Sequence, residues 1–279
     1  MKIGLIGYTS KLGRPLVQRG LTPLDCDITK RNSIERVLAK EKPDLIVNLA
    51  SKSSPDWVES NYDEALNINV YGFVELCRLT YDRHIPVVAL STDHIFSGKT
   101  YFDFKMMQMI RKGPYKENYP RSIPVNAYGI TKLGMETVAS VYPHVKVVRT
   151  SYVFDEERLQ FDMDGLKKGY PLSSPTFLHR SFMYLDHFVE AFSVYLNKFF
   201  QMFPITNISG SKTVSWHTFM LALADVYGFD KTLVVPRNKD DMGYAARPHK
   251  AGLDVSLSAN LGIPQFDYLD GLRAMEDKK

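Results

Sequence analysis

Within residues 1–150, short apolar runs alternate with stretches of helical periodicity, and this constrains the fold of the 279-residue chain more than any other feature. The apolar runs are KIGLIG (2–7), PLDCDI (23–28), LIVNLA (45–50), VVALST (87–92) and VKVVRT (145–150). Between them lie helical patterns over Gly13–Arg19, Ser33–Glu41, Glu64–Tyr81 and Ala127–Val141. Strands without polar alternation suit a parallel sheet covered on both faces, and strands alternating with helices assemble from βαβ units. The expected class is α/β, with a doubly wound parallel sheet over 1–150. Residues 151–279 are more mixed and are expected to be mainly substrate-binding, with some segments packing back on the first domain. There the patterns predict a helix over Leu185–Phe200, strands at 205–209 and 233–236, and a helix starting at Trp216 with Ser215 as its cap.

The first strand runs into GLIGYTSKLG (4–13). Gly7 and Gly13 stand at the first and third glycine positions of a dinucleotide-binding turn of the Rossmann type, and Ser10 occupies the middle one. In such a turn the loop Thr9, Ser10, Lys11, Leu12 and Gly13 receives a pyrophosphate on its amides, and the Ser10 hydroxyl can donate to a phosphate oxygen. From Gly13 to Asp27 there is room for one short helix and one strand only. The second strand is therefore expected to be curtailed, and with it the acidic ribose reader that normally stands ~20 residues beyond the loop. Its absence argues for NADPH over NADH, with NADH as the alternative. Lys11 and Arg14 are candidates for a 2′-phosphate contact, against the commoner fate of solvated helix charges.

Net charge is +4 and the pI about 8.8, but Lys and Arg are scattered, which favours anionic small molecules over nucleic acid. Cys26 and Cys77 show neither CxxC spacing nor disulfide-scaffold density, so both are read as reduced and buried and the address as cytoplasmic. MKIGLIG reads as a strand and not a secretory segment, and no apolar stretch reaches the ~18 residues of a membrane span. His94, His179, His187, His217 and His249 have no metal-ligand spacing, so no metal is expected.

The segment PVNAYGITKLGMETVA (124–139) places Tyr128 and Lys132 four residues apart, on one face of a helix. A phenol ionises near ~10, too high for proton exchange at neutrality, and a nearby cation lowers it into a usable acid or base. Alone, this spacing describes a half-buried tyrosine beside a surface lysine. Upstream, VVALSTDHIFSG puts Ser91, Thr92 and Asp93 at the C-terminal end of an apolar strand, where open α/β sheets bind ligands.

These residues resemble the extended short-chain dehydrogenase/reductases, and within them the dTDP-4-dehydrorhamnose reductases. The likeness runs through DLIVNLAS (44–51), NINVYG (67–72), STDHIFSG (91–98), GPYKENYPRSIPVNAYGITKLGME (113–136), VRTSYVF (148–154), ISGSKTVSWHTFM (208–220) and ARPHKAGLD (246–254). It implies a catalytic Thr92, Tyr128 and Lys132: Tyr128 protonates a ketone oxygen as a nicotinamide delivers hydride, Lys132 binds the nicotinamide ribose and lowers the Tyr128 pKa, and Thr92 orients the carbonyl. It further implies cofactor contacts from Asp27 and Ile28 at the adenine, from Leu49, Ala50 and Ser51 along its length, and from Ser91, Arg149, Thr150 and Ser151. Asn69 matches a helix asparagine that supports the site and is grouped with the cofactor residues. Asp93, His94 and Arg247 are the candidate substrate residues, Arg247 through a planar fork suited to a diphosphate.

The implied reaction is NADPH-dependent reduction of a nucleotide-linked 4-keto-6-deoxy sugar, in dTDP-rhamnose biosynthesis in the simplest case. The alternatives are a non-catalytic, cofactor-binding regulatory subunit and a related epimerase or dehydratase, although His94 stands where a dehydratase has a glutamate. The insertion YFDFKMMQMIR (101–111) reads as a lid, a homodimer contact or a helix on the protein's own core.

Overall fold

The computed structural model describes residues 1–99, 101–103, 108–110, 113–120, 122–238 and 244–278. The first half supplies β1 (Ile3–Ile6), α1 (Gly13–Gln18), β2 (Thr22–Leu24), α2 (Arg31–Glu41), β3 (Leu45–Asn48), α3 (Pro55–Ser60), α4 (Tyr62–Leu66), α5 (Phe73–Tyr81), β4 (Val87–Thr92), β5 (Tyr101–Asp103), β6 (Gln108–Ile110), α6 (Ala127–Val141) and β7 (Val145–Thr150). The second supplies β8 (Tyr152–Phe154), α7 (Glu156–Lys167), β9 (Leu172–Pro175), β10 (His179–Tyr184), α8 (Leu185–Asn197), β11 (Ile205–Asn207), β12 (Thr213–Ser215), α9 (Trp216–Val226), β13 (Val234–Arg237), α10 (Ser256–Asn260) and α11 (Tyr268–Glu276).

Six strands form the main sheet in the order β11-β7-β4-β3-β1-β2, each paired parallel to its neighbour. Leu5, Leu45, Val47, Val88, Leu90 and Val148 turn to one face, beneath Leu16 of α1 and Phe188 and Phe192 of α8. Ile6, Ile46, Val87, Ala89, Val145 and Val147 turn to the other, beneath residues of α2, α5 and α6. Successive side chains of a strand point to opposite faces, so covering both faces removes the polar alternation. The result is a doubly wound, Rossmann-type sheet in which one strand, β2, lies outside β1 where the common dinucleotide-binding order has two.

Several local expectations shift. β2 stops at Leu24 because the chain turns at once: Asp27 accepts the Thr29 amide at 3.0 Å and its hydroxyl at 2.6 Å. The helix expected over Glu64–Tyr81 is assembled from α4, a π-helical segment (Asn67–Gly72) and α5. The 101–111 insertion contributes the antiparallel pair β5 and β6 rather than a helix. Its lid and dimer readings depend on side chains outside those described.

Around the second half, β12, β10 and β8 form a three-stranded sheet and β13 pairs with β9. Phe154, Phe182, Phe219 and Leu272 center its core. β11 and α8 return to the edge and face of the main sheet. Among the described residues no helix is long and apolar enough to cross a membrane, and of the two free thiols Cys77 is buried as expected while Cys26 is only half-buried.

Candidate active site

The C-terminal ends of β1, β3, β4 and β7 open on a cleft of about 480 Å³, walled on the other side by residues that follow β7. Ser10, Lys11, Leu12, Leu49, Ser51, Ser91, Thr92, Asp93, His94, Tyr128, Lys132, Thr150, Ser151 and Arg247 line it. Residues up to 237 positions apart in sequence thus meet at the sheet edge where ligands bind in such folds.

Tyr128 and Lys132 come from the first turns of α6. Asn126 caps this helix, its Oδ1 accepting the Gly129 amide at 2.8 Å, as a side-chain oxygen does for an otherwise orphaned donor. The same side chain donates to His94 Nδ1 at 3.0 Å and to the Ala246 carbonyl at 2.7 Å, so one residue ties α6 to the turn after β4 and to a C-terminal segment. Gly129 permits the close approach, since a Cβ there would run into the His94 carbonyl.

Burial pushes the Tyr128 phenol above its ordinary range, with a hydrogen bond to Thr92 acting the other way. The cation that acts to lower it is Arg158, not Lys132 as the spacing suggested. Lys132 is itself buried and pushed down to about 8, with the Glu136 carboxylate opposing the desolvation. Its ammonium donates to Met135 Sδ at 3.4 Å, a weak acceptor, and to no oxygen among the described residues. Ser91 Oγ and Thr150 Oγ1, also on the cleft wall, are buried without a hydrogen-bond partner among the described residues.

The three candidate substrate residues are each held by the protein. The Asp93 carboxylate is buried and accepts from Thr92 Oγ1 at 3.3 Å and Ser151 Oγ at 2.5 Å, with Arg180 Nε 3.7 Å away. Burial raises its pKa against the Arg180 charge. His94 packs edge-on to Tyr128 at 5.5 Å, and burial holds it well below the ordinary histidine range, hence neutral. Arg247 grips Asp56 with both terminal nitrogens, at 2.6 and 3.2 Å, while still facing the cleft.

Several other expected contact residues do not line this cleft. Arg149 does not reach the cleft: it is buried, bidentate to Glu136 at 2.8 and 2.7 Å, and bonded to the Glu117 carbonyl at 3.1 Å. Its strand position was read properly, but its side chain turns to the face under α6. Asn69 braces the site, as the resemblance implied, with its amide bonded to both backbone groups of Lys52 and to Thr131 Oγ1. Ile28 is a core residue beneath α5, so its side chain is closed to a ligand. Asp27 lies in a separate hollow with Lys30, Arg31 and Arg36. Ala50 packs against the core at the end of β3, its amide donating to Asn48 Oδ1 at 3.1 Å.

In the loop after β1, Gly7 has φ +77°, and a Cβ on Gly13 would stand 2.6 Å from the Gly7 carbonyl oxygen, so the turn itself demands both glycines. Ser10 needs no such freedom, because the positive-φ non-glycine residues are Lys42 and His84. Its Oγ accepts the Gly13 amide at 3.1 Å, which leaves its own hydrogen available. Thr9 gives its carbonyl to Arg14 Nε at 3.0 Å. Lys11 pairs with Asp155 and Glu157, whereas Arg14, on α1, commits only its Nε.

Sequence reasoning missed Arg158, Arg180, Tyr152 and Trp216, all on the cleft wall. Arg158 lies over the Tyr152 ring at 4.2 Å, and Tyr152 meets Trp216 edge-on at 4.8 Å. The SYVF run and the helix start at Trp216 were visible, but nothing local reveals which way these side chains face. Among the described residues no cluster of His, Cys, Asp and Glu is placed to hold a metal.

Comparison with known proteins matches residues 1–169 to the family model of the RmlD substrate binding domain. A dTDP-4-keto-6-deoxy-D-glucose reductase of Streptomyces niveus is 34% identical over 166 residues, covering 56% of this chain and 54% of that protein, about half its length. A probable low-salt glycan biosynthesis reductase of Haloferax volcanii is 26% identical over 90% of this chain and 82% of its own. In structure, a dTDP-4-dehydrorhamnose reductase of Bacillus anthracis, crystallised with NADP, superposes with a TM-score of 0.84 at 21% identity over the whole of both chains.

Proposed function

The chain belongs to the RmlD substrate binding domain family, and on that premise we propose that it reduces a nucleotide-linked 4-keto-6-deoxy sugar with NADPH, dTDP-4-dehydrorhamnose to dTDP-rhamnose in the simplest case. One observation carries the reading: Tyr128, Thr92 and a buried Lys132 ammonium without an oxygen partner share a cleft with the unpartnered hydroxyls of Ser91 and Thr150. Buried polar groups are normally satisfied, and a ribose-bearing dinucleotide offers the acceptors and donors these groups lack. Ser10 fits as well, with a hydroxyl hydrogen free to meet a phosphate.

NADPH, when bound, supplies hydride to the carbonyl carbon. Tyr128, kept protonated by burial, gives its phenolic proton to the carbonyl oxygen. Lys132 holds the ribose hydroxyls, and the charge of Arg158 stabilises the phenolate that remains. Thr92, whose hydroxyl accepts the His94 amide at 3.3 Å, orients the carbonyl by turning its hydrogen to it from the Asp93 carboxylate. Leu49, Ser51, Thr150 and Ser151 line the cofactor side. The region 151–279 serves mainly the substrate: Arg158, Arg180 and Arg247 give that wall a positive charge suited to a diphosphate. Two free thiols suit a reducing, cytoplasmic setting.

The test is NADPH oxidation by purified protein with a panel of nucleotide 4-ketosugars. Tyr128→Phe is expected to lower kcat by at least about 100-fold while leaving NADPH affinity within about threefold of wild type. Turnover unaffected by Tyr128→Phe, or no turnover with any sugar, overturns the reading. NADPH binding without turnover, together with a stable complex with another enzyme, points to the regulatory subunit instead.

A further inference from the structure

Lys11 belongs to the loop between β1 and α1, and Asp155 opens α7, 144 residues later. Both face the same cleft. Lys11 Nζ lies 3.2 Å from Asp155 Oδ1 and 3.6 Å from Glu157 Oε2. Asp155 is not a loose surface partner, because its side chain is 10% exposed and the same Oδ1 caps α7 by accepting the Arg158 amide at 2.9 Å. The ion pair therefore joins the nucleotide side of the cleft to the wall contributed by the second half of the chain.

We propose that Lys11 and Asp155 form a clasp across the cleft, and that Lys11 exchanges the Asp155 carboxylate for the dinucleotide's pyrophosphate on binding. The proposal rests on the reading of the cleft as a dinucleotide site. Three observations lead to it. The loop that carries Lys11 follows the first strand of a parallel sheet, the place where such folds receive a pyrophosphate. Lys11 lines the cleft and Arg14, the cation that opens α1, does not, which leaves Lys11 as the charge placed to change partner. Asp155 and Glu157 together put two carboxylates beside a place meant for phosphates, and like charges this close oppose binding unless a cation stands between them. Asp155 is thus an affinity-lowering residue and Lys11 an affinity-raising one. Since the pyrophosphate is common to both nicotinamide dinucleotides, each effect applies equally to NADPH and NADH.

Calorimetric titration of NADPH and of NADH into wild type, Lys11→Met, Asp155→Asn and the double variant tests the exchange. Asparagine remains a good helix cap, so Asp155→Asn keeps α7, and thermal unfolding of each variant without ligand reports on the fold. Lys11→Met is expected to weaken both ligands by about three- to tenfold, and Asp155→Asn to tighten both by about two- to fivefold, the range of a partly exposed charge pair. The gain from Asp155→Asn shrinks once Lys11 is gone. Weaker binding by Asp155→Asn, or unchanged binding by Lys11→Met, overturns the clasp. A loss confined to NADPH overturns it in favour of a 2′-phosphate contact. Wild type that binds neither dinucleotide refutes the reading of the cleft itself, and the clasp falls with it.

Discussion

Replacing Lys132 with Met is expected to make the fold more stable while removing catalysis. The ammonium is held at about 8 against an ordinary 10.5, chiefly by burial. At ~1.4 kcal/mol for each tenfold change in proton affinity, holding that charge costs the folded state about 3 kcal/mol at neutral pH. The sign follows from proton counts. Below pH 8 the lysine is charged in both states and the folded chain bears the whole cost. Between about 8 and 10.5 the unfolded chain keeps a proton that the folded chain has lost, so stability rises with pH. Above 10.5 the cost is gone. Methionine has nearly the same length and suits a site beside Met135, so packing is retained. The attraction of Glu136 is already contained in that net cost, so the expected gain is about 3 kcal/mol. Urea unfolding at pH 7 should show the variant to be the more stable protein, with the gap closing as pH rises through 8 toward 10.5. A variant less stable than wild type at pH 7, or a gap that does not change over that pH window, refutes the reasoning.

Two further outcomes concern the frame around the site. Arg149→Met leaves the buried Glu136 carboxylate without its bidentate partner and should cost about 3–5 kcal/mol in urea unfolding, whereas a loss below about 1 kcal/mol would show that the pair is dispensable. Gly13→Ala drives a Cβ into the Gly7 carbonyl oxygen and should destabilise by about 1–3 kcal/mol, read as a lower thermal midpoint; an unchanged midpoint would mean that the loop relaxes freely.

The apolar runs VVALST and VKVVRT became β4 and β7 with their bounds intact, because a strand buried on both faces writes itself into consecutive residues. α6 kept the predicted bounds Ala127–Val141, and the four-residue spacing of Tyr128 and Lys132 put both on the cleft. Where a helix carries a π-helical segment, as at Asn67–Gly72, the 3.6-residue period no longer reports the chain's path. Strand position alone did not reveal that Arg149 turns from the cleft to Glu136, nor did any local pattern announce Arg180, Trp216 or Asp155 as neighbours of the loop and the phenol. The sequence by itself determined the layered parallel sheet, its curtailed second strand, and the placing of Tyr128 and Lys132 on one helix face, since periodicity and spacing act between near neighbours. Only the tertiary structure decided which charges meet and how far each is removed from water. The partner of Lys11 lies 144 residues away, and the burial that holds Tyr128 protonated and weakens the hold of Lys132 on its proton comes from α3, α4 and the π-helical segment packed against α6, far from it in sequence.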